Sequence, residues 1–146
     1  KNKKEDGILV SQKVLLTWLI ESEEIFHQIE KYITPEDFSE GLFRKVAELL
    51  YEQYEKHEAN PAQIMNHFTD EEEHREVAGL FHTKIKELTT VKEQEKALQE
   101  TILRVKEHSI EEATKNLDPT DIQGLQRLMN EKRKMQDLRT LHISIN

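Results

Sequence analysis

The sequence contains no cysteine, and the residues that most often make turns are scarce: four glycines and three prolines occur in 146 residues. Without cysteine the chain can have neither a disulfide framework nor a thiolate metal site. Strands of a sheet are joined by tight turns that favour glycine and proline, so this scarcity argues against a multi-stranded sheet. The lack of cysteine also agrees with a reducing compartment, and we expect a cytoplasmic protein.

Long apolar runs are absent as well. No run approaches the roughly 20 residues that a membrane-spanning helix needs, and no signal peptide is recognisable. We therefore expect no contact with a membrane. The chain begins with Lys1 instead of methionine, which suggests a piece of a longer protein.

Charge is abundant and unevenly distributed. Charged residues make up 34% of the chain and apolar residues 36%, a balance typical of slender helical proteins. Residues 1–117 carry 16 basic and 25 acidic side chains, whereas residues 118–146 carry five basic and four acidic ones. An acidic body repels phosphate backbones, so we expect no direct binding of nucleic acid.

The segment from Thr89 to Leu117 has no glycine or proline and predicts one long helix. Thr90 and Glu93 have the spacing of a capping box, and Asp118-Pro119 should stop the helix because a residue before proline avoids the α region. Its apolar positions change face halfway, so its two halves should face different neighbours. We expect a flexible joint, bent or broken, around His108-Ser109.

Hydrophobic periodicity and start signals predict helices over 8–20, 22–33, 39–57, 61–68, 70–83 and 119–141, with Ser39 as one N-cap and Pro119 opening the last helix. The first should be buried on several sides. The sequence therefore predicts an all-α protein: a six-helix bundle subdomain (residues 1–105), followed by a C-terminal two-helix hairpin (residues 106–146), with the long helix joining them. The predicted core contains Trp18, Leu42, Phe43, Val46 and Leu50.

Two Glu-x-x-His sequences, Glu24 to His27 and Glu71 to His74, raise the alternative of a small helical di-iron metalloprotein, since such bundles use two of these motifs. The helical phase argues against it, because Glu24 and His27 point away from the apolar face of their helix. No nucleophile elbow and no glycine-rich loop is present. We expect no metal, no cofactor and no catalysis. A nucleic-acid-binding helical bundle is the other alternative.

Several stretches carry a resemblance to a known family. They are Val14-Leu15-Leu16-Thr17-Trp18-Leu19-Ile20, Ile33-Thr34-Pro35-Glu36-Asp37-Phe38, Leu42-Phe43-x-x-Val46 and Glu55-Lys56-His57-Glu58-Ala59-Asn60-Pro61. This pattern resembles the C-terminal helicase-binding domain of bacterial DnaG-type primases, in its Bacillus-type form, and more distantly the N-terminal domain of the replicative helicase. It covers residues 8–88 and extends to the whole chain in layout.

The resemblance implies a non-catalytic module of a DNA primase that acts in the primosome during DNA replication. In that family the hairpin binds the N-terminal domains of the hexameric replicative helicase, and the bundle contributes to stimulating it. Two helices alone bury little apolar surface, so the hairpin is also the part whose own pattern suggests a docking element. The expected partner-binding residues lie on the last helix: Ile122, Leu125, Met129, Lys132, Arg133, Gln136 and Leu138.

Overall fold

The structure is a computed structural model that describes residues 3–82 and 90–145. Over these ranges the chain forms six α-helices and two 3₁₀ segments, with no β-strand, and the predicted all-α class is confirmed. The helices are α1 (Lys3–Glu21), α2 (Glu23–Ile29), α3 (Leu42–Glu55), α4 (Glu71–His82), α5 (Val91–Lys115) and α6 (Ile122–Thr140). The 3₁₀ segments are Pro35–Asp37 and Pro61–His67. The predicted end of the fifth helix at residue 83 lies outside the described residues.

The long helix α5 begins as its sequence predicts. The Glu93 amide donates to the Thr90 hydroxyl over 3.1 Å, and that hydroxyl donates to the Glu93 carboxylate over 2.9 Å. The helix has 25 residues and is therefore about 38 Å long. It runs without interruption through His108 and Ser109, so the expected break is not present there.

Helix α1 begins at Lys3, five residues before its predicted start, and the predicted start signals Ser39 and Pro119 are not the observed ones. Helix α3 begins at Leu42 after Gly41, whose φ of 113° favours glycine, and not after Ser39. The backbone amide and the hydroxyl of Ser39 are instead bonded to the buried side chain of Gln12, over 3.1 Å and 2.8 Å. This long-range contact competes with the local cap, which sequence spacing alone does not reveal.

Helix α6 begins three residues after Pro119, at Ile122. The Asp118 carboxylate accepts from the Thr120 amide over 2.9 Å, which closes a turn before the helix. Asp121 is the N-cap, and its carboxylate accepts from the Gly124 amide over 2.9 Å. Each aspartate accepts a hydrogen bond from a nearby backbone amide, the first in the turn and the second at the start of the helix. Pro119 therefore lies in the turn and does not begin α6.

Buried apolar side chains from α1 to α5 form one core, which the end of α6 joins. Val46 and Leu50 are fully buried, and Trp18, Leu42 and Phe43 pack partly buried against the cluster, which confirms the predicted core.

The prediction that α1 is buried on several sides is wrong for its first turns. Leu9 and Val10 are 44% and 57% exposed, so α1 is not buried on several sides there. They line an open groove with Leu42 and Phe43.

Two buried tyrosines of α3 donate hydrogen bonds to backbone carbonyls of neighbouring segments. The Tyr51 hydroxyl donates to the Ile33 carbonyl over 2.7 Å, and the Tyr54 hydroxyl donates to the Leu19 carbonyl over 2.6 Å. Burial raises the pKa of Tyr54 to about 12 and raises the pKa of Tyr51 as well. Both rings contact Phe26, with centroid distances of 4.8 Å and 5.0 Å. Both tyrosines are thus neutral donors that fix the end of α1 and the segment after α2.

Leu50→Ala should lower the free energy of unfolding by about 2 to 5 kcal/mol, because it removes fully buried methyl groups and leaves a cavity. Leu9→Ala is a matched control on an exposed position and should cost less than about 1 kcal/mol. Chemical denaturation monitored by circular dichroism measures both. Equal losses in the two variants would show that α3 does not hold the core.

Candidate docking site on the last helix

Helix α6 has a buried face and an exposed face. Leu128 and Met135 are buried, together with Gly124 and Leu138. At about 100° per residue, six of the predicted partner-binding residues fall within an arc of roughly 100° on the other side of the helix. We call this set the α6 stripe; all its members are exposed, and they are Ile122, Leu125, Met129, Lys132, Arg133 and Gln136.

The apolar members of the α6 stripe are unusually solvent-exposed for large apolar side chains. Ile122 is 70% exposed, Leu125 is 45% exposed and Met129 is 59% exposed. They follow one another at i, i+3 and i+7, so they form a continuous row along the helix. The basic side chains of Lys132 and Arg133 continue this row toward the end of α6.

Leu138 does not belong to this surface. Its side chain is 1% exposed and is part of the main core, so the prediction that it contacts a partner is wrong. The helical period explains why Leu138 is buried when the α6 stripe is exposed: Leu138 lies about 160° around the helix from Ile122 and therefore on the inner face. The apolar residues of α6 fall on both faces of the helix, so their pattern gave no clear signal of which face was inner.

The chain after α6 returns to the bundle. Ile143 is buried in the main core, and Gln28 exchanges two hydrogen bonds with the backbone of Ser144, over 2.7 Å and 2.8 Å. The Ile145 amide donates to the Glu95 carboxylate over 3.0 Å, and the Gln99 amide group donates to the Leu141 carbonyl over 3.0 Å. The C-terminal end of α6 is therefore anchored to the bundle. The predicted boundary between residues 105 and 106 stays a prediction.

A buried ionic cluster joins the bundle to both helices of the hairpin. Lys106 is fully buried and Asp37 is 4% exposed. The Lys106 ammonium donates to both carboxylate oxygens of Asp37, each over 3.2 Å, and to Oε1 of Glu131. Ser109 donates its hydroxyl to Asp37 over 2.7 Å. We call Asp37, Lys106, Ser109 and Glu131 the Lys106 cluster; its members come from the first 3₁₀ segment, α5 and α6.

The electrostatics of the cluster favour an ionised Glu131. Burial of this carboxyl would raise its pKa, but hydrogen bonds from Lys106 and Lys134 and their positive charges outweigh burial, and the pKa lies below its ordinary value. Lys134 lies 2.9 Å from the other carboxylate oxygen of Glu131. The positive charges of Lys106 and Lys134 thus balance the negative charges of Asp37 and Glu131 across α5, α6 and the bundle.

Sequence reasoning did not find the Lys106 cluster, although a signal exists. On the helical wheel of α5, Ser109 falls between Ile102 and Val105, and Lys106 lies next to Ile102. A hydroxyl and an ammonium on a buried apolar stripe need polar partners from elsewhere in the fold. The position of those partners, Asp37 and Glu131, depends on tertiary packing.

The Glu-x-x-His motifs lie on the surface. Glu24 and His27 are exposed, as their helical phase predicts, and His27 contacts Glu23 and Glu30 over 3.1 Å and 3.3 Å. His74 is exposed on α4. Within residues 3–82 and 90–145, no group of three or more possible ligands could hold a metal ion. Over the same ranges, no helix is long and apolar enough to cross a membrane.

No protein-family model, no curated protein and no solved structure matches this chain. Two observations therefore bear on function: the resemblance in the sequence and the geometry of α6. Neither depends on a metal or on a catalytic group.

Glu131→Gln should destabilise the protein at neutral pH and progressively less in acid. The folded-state pKa of Glu131 is lowered, so its contribution is present above the ordinary pKa of 4.5 and is lost as the pH falls through the folded-state pKa. Denaturant unfolding at several pH values between about 7 and 3 measures the difference from the parent protein.

The matched control for this prediction is Glu112→Gln, which removes a carboxylate 3.8 Å from Lys115 on the hairpin surface. A surface pair contributes little, so its effect should be small at every pH. A Glu131→Gln effect that stays constant across the pH range would contradict the ionic role of Glu131.

Proposed function

We propose that this chain is the helicase-binding module of a bacterial DnaG-type primase, and that it docks the primase onto the hexameric replicative helicase. The module has no catalytic role of its own. It acts in the cytoplasm, where it modulates helicase and primase activity during priming of DNA replication. The observation that supports this proposal best is the α6 stripe, an exposed apolar row on a helix whose opposite face is already packed.

The apolar row has the spacing that helix-mediated recognition uses. Anchors at i, i+3 and i+7 let one face of a helix enter a hydrophobic groove of a partner. Ile122, Leu125 and Met129 are exposed together, and the inward residues Leu128 and Met135 already pack the other face. Large apolar side chains in a contiguous row are costly to leave in water, which favours a partner that covers them.

Charge supports a protein partner over a nucleic acid. The stripe includes Lys132 and Arg133, whereas the chain as a whole carries a net charge of -8. A local basic surface on an acidic protein is suited to an acidic protein surface, because complementary potentials raise the association rate and fix orientation. A nucleic acid would be repelled by most of the remaining surface.

The stretches that carry the resemblance are structural elements of the bundle. Thr34 and Asp37 open the first 3₁₀ segment, where the Thr34 amide donates to the Asp37 carboxylate over 2.9 Å, and Phe38 just after it is buried. His57, in the turn after α3, adopts a positive φ of 57°. These stretches thus form turns and core contacts of the bundle, and α6 supplies the surface that a partner could recognise.

Met129→Glu should weaken binding to a candidate replicative helicase by about tenfold or more, because it places a charge in the apolar row. Val10→Glu is the matched control, since it also changes an exposed apolar helical residue to glutamate: Val10 is 57% exposed and Met129 is 59% exposed. Isothermal titration calorimetry with the purified helicase measures both affinities.

Equal weakening by both substitutions, or weakening by Val10→Glu alone, would move the docking surface to the groove on the bundle. No binding by the parent chain would reject the proposed partner. A deletion of residues 118–146 is a poorer test, because it also removes Leu138 and Ile143 from the core. We therefore do not expect a chain ending at Leu117 to keep a fully stable bundle.

A further inference from the structure

The outer part of the hairpin depends on few contacts with the bundle. Helix α6 packs chiefly along α5. Leu128 and Met135 are buried but are not members of the main core, whereas Leu138 and Ile143 are. The bundle therefore holds the end of α6, and the part that carries Ile122 to Met129 is held mainly by α5.

The Lys106 cluster lies between these two parts. Asp37 connects it to the bundle, and Glu131 connects it to α6 immediately after the apolar row. The ammonium group has three protons to donate, and three of the four carboxylate oxygens of Asp37 and Glu131 accept from it. A buried ion pair contributes little net stability, but its exact donor geometry favours one arrangement of the groups that it joins.

We propose that the Lys106 cluster positions the docking site: the contact between Lys106 and Glu131 fixes the outer hairpin relative to the bundle and sets the direction in which the α6 stripe faces. Lys106 and Glu131 are thus positioning residues that do not themselves touch the partner. The part of this inference that concerns the partner rests on the function proposed above, and the part that concerns the hairpin does not.

Of the two carboxylates that bind Lys106, Glu131 is held less firmly than Asp37. Its side chain is 30% exposed, whereas the Asp37 side chain is 4% exposed. Asp37 is also held by the Thr34 amide and the Ser109 hydroxyl, over 2.9 Å and 2.7 Å. Among the residues that the structure describes, the second oxygen of Glu131 pairs with Lys134 of its own helix. Loss of the Lys106 contact would therefore release the outer part of α6 from the bundle and leave the bundle side of the cluster intact.

Movement at Glu131 must also move the docking surface. Lys132 and Arg133 follow Glu131 directly, and both belong to the α6 stripe. A rotation of α6 that withdraws Glu131 from Lys106 turns these two cations by the same angle, because a helix rotates as one body. The sequence predicted a joint at His108-Ser109, and the cluster spans that place through Lys106 and Ser109.

The absence of cysteine in the parent chain allows a direct measurement of hairpin orientation. Spin labels at Glu48→Cys on α3 and Gln123→Cys on α6, both exposed positions, report the distance between bundle and outer hairpin by pulsed electron paramagnetic resonance. The parent should give one narrow distribution. Glu131→Ala should broaden or shift it, and Glu131→Gln, which keeps an acceptor for Lys106, should do so less.

Two controls separate positioning from general damage. Glu112→Gln removes a surface carboxylate of the same hairpin and should leave the distribution unchanged. A second label pair within the bundle, Glu21→Cys and Glu48→Cys, should give the same distribution with and without Glu131→Ala. An unchanged distance from bundle to hairpin in folded Glu131→Ala and Glu131→Gln would overturn the inference.

Binding completes the test. Glu131→Ala should weaken binding to the replicative helicase by about tenfold although every residue of the α6 stripe is retained. A broadened distribution with full affinity would overturn the positioning role. If the parent chain binds no helicase, the function proposed above fails, and the spin-label distances still decide whether the cluster fixes the hairpin.

Discussion

An ammonium group that is removed from water must be neutralised close by, and the buried Lys106 imposes this requirement on three separate parts of the chain. Asp37 comes from the first 3₁₀ segment and Glu131 comes from α6, so both must reach the same point on α5. This requirement fixes the rotation of α6 about its own axis. With Glu131 inward, the helical period places Lys132 and Arg133 outward.

The two faces of α6 follow from that rotation. Leu128, Met135 and Leu138 share the side of Glu131 and are buried, whereas Ile122, Leu125 and Met129 face solvent. The C-terminal segment then holds this arrangement from the other end, because Ile143 enters the core and Ser144 pairs with Gln28. The exposure of an apolar row is therefore a consequence of how the inner face is anchored, and another rotation of α6 would bury a different set.

The sequence predicted features that local interactions determine. The Thr90 and Glu93 capping box, the core positions Val46 and Leu50 and the outward phase of Glu24 and His27 each depend on residues within a few turns of one helix. These predictions are confirmed. The all-α class was also predicted correctly, because scarce turn residues and regular apolar spacing favour helices over strands.

The features that sequence reasoning missed depend on contacts between distant segments. Gln12 binds Ser39 and removes it as a helix cap, 27 residues away. Asp37 meets Lys106 across 69 residues of sequence. Leu138 is buried because the chain after it turns back onto the bundle. No local pattern specifies such pairings, so the inner face of α6 could not be separated from its outer face by periodicity alone.

The distribution of residue types along the α6 stripe suggests how a partner would be recognised. The apolar residues Ile122, Leu125 and Met129 lie in the half of α6 farther from the bundle, whereas Lys132 and Arg133 lie beside the Lys106 cluster. Apolar anchors that become fully covered contribute most of the affinity, and charges at the margin act mainly on orientation and association rate. The orienting charges are thus next to the contact that fixes α6, and the anchors are carried at a distance from it. A small rotation at Glu131 would displace both groups, which explains how a buried contact behind the surface can govern a docking site that it does not touch.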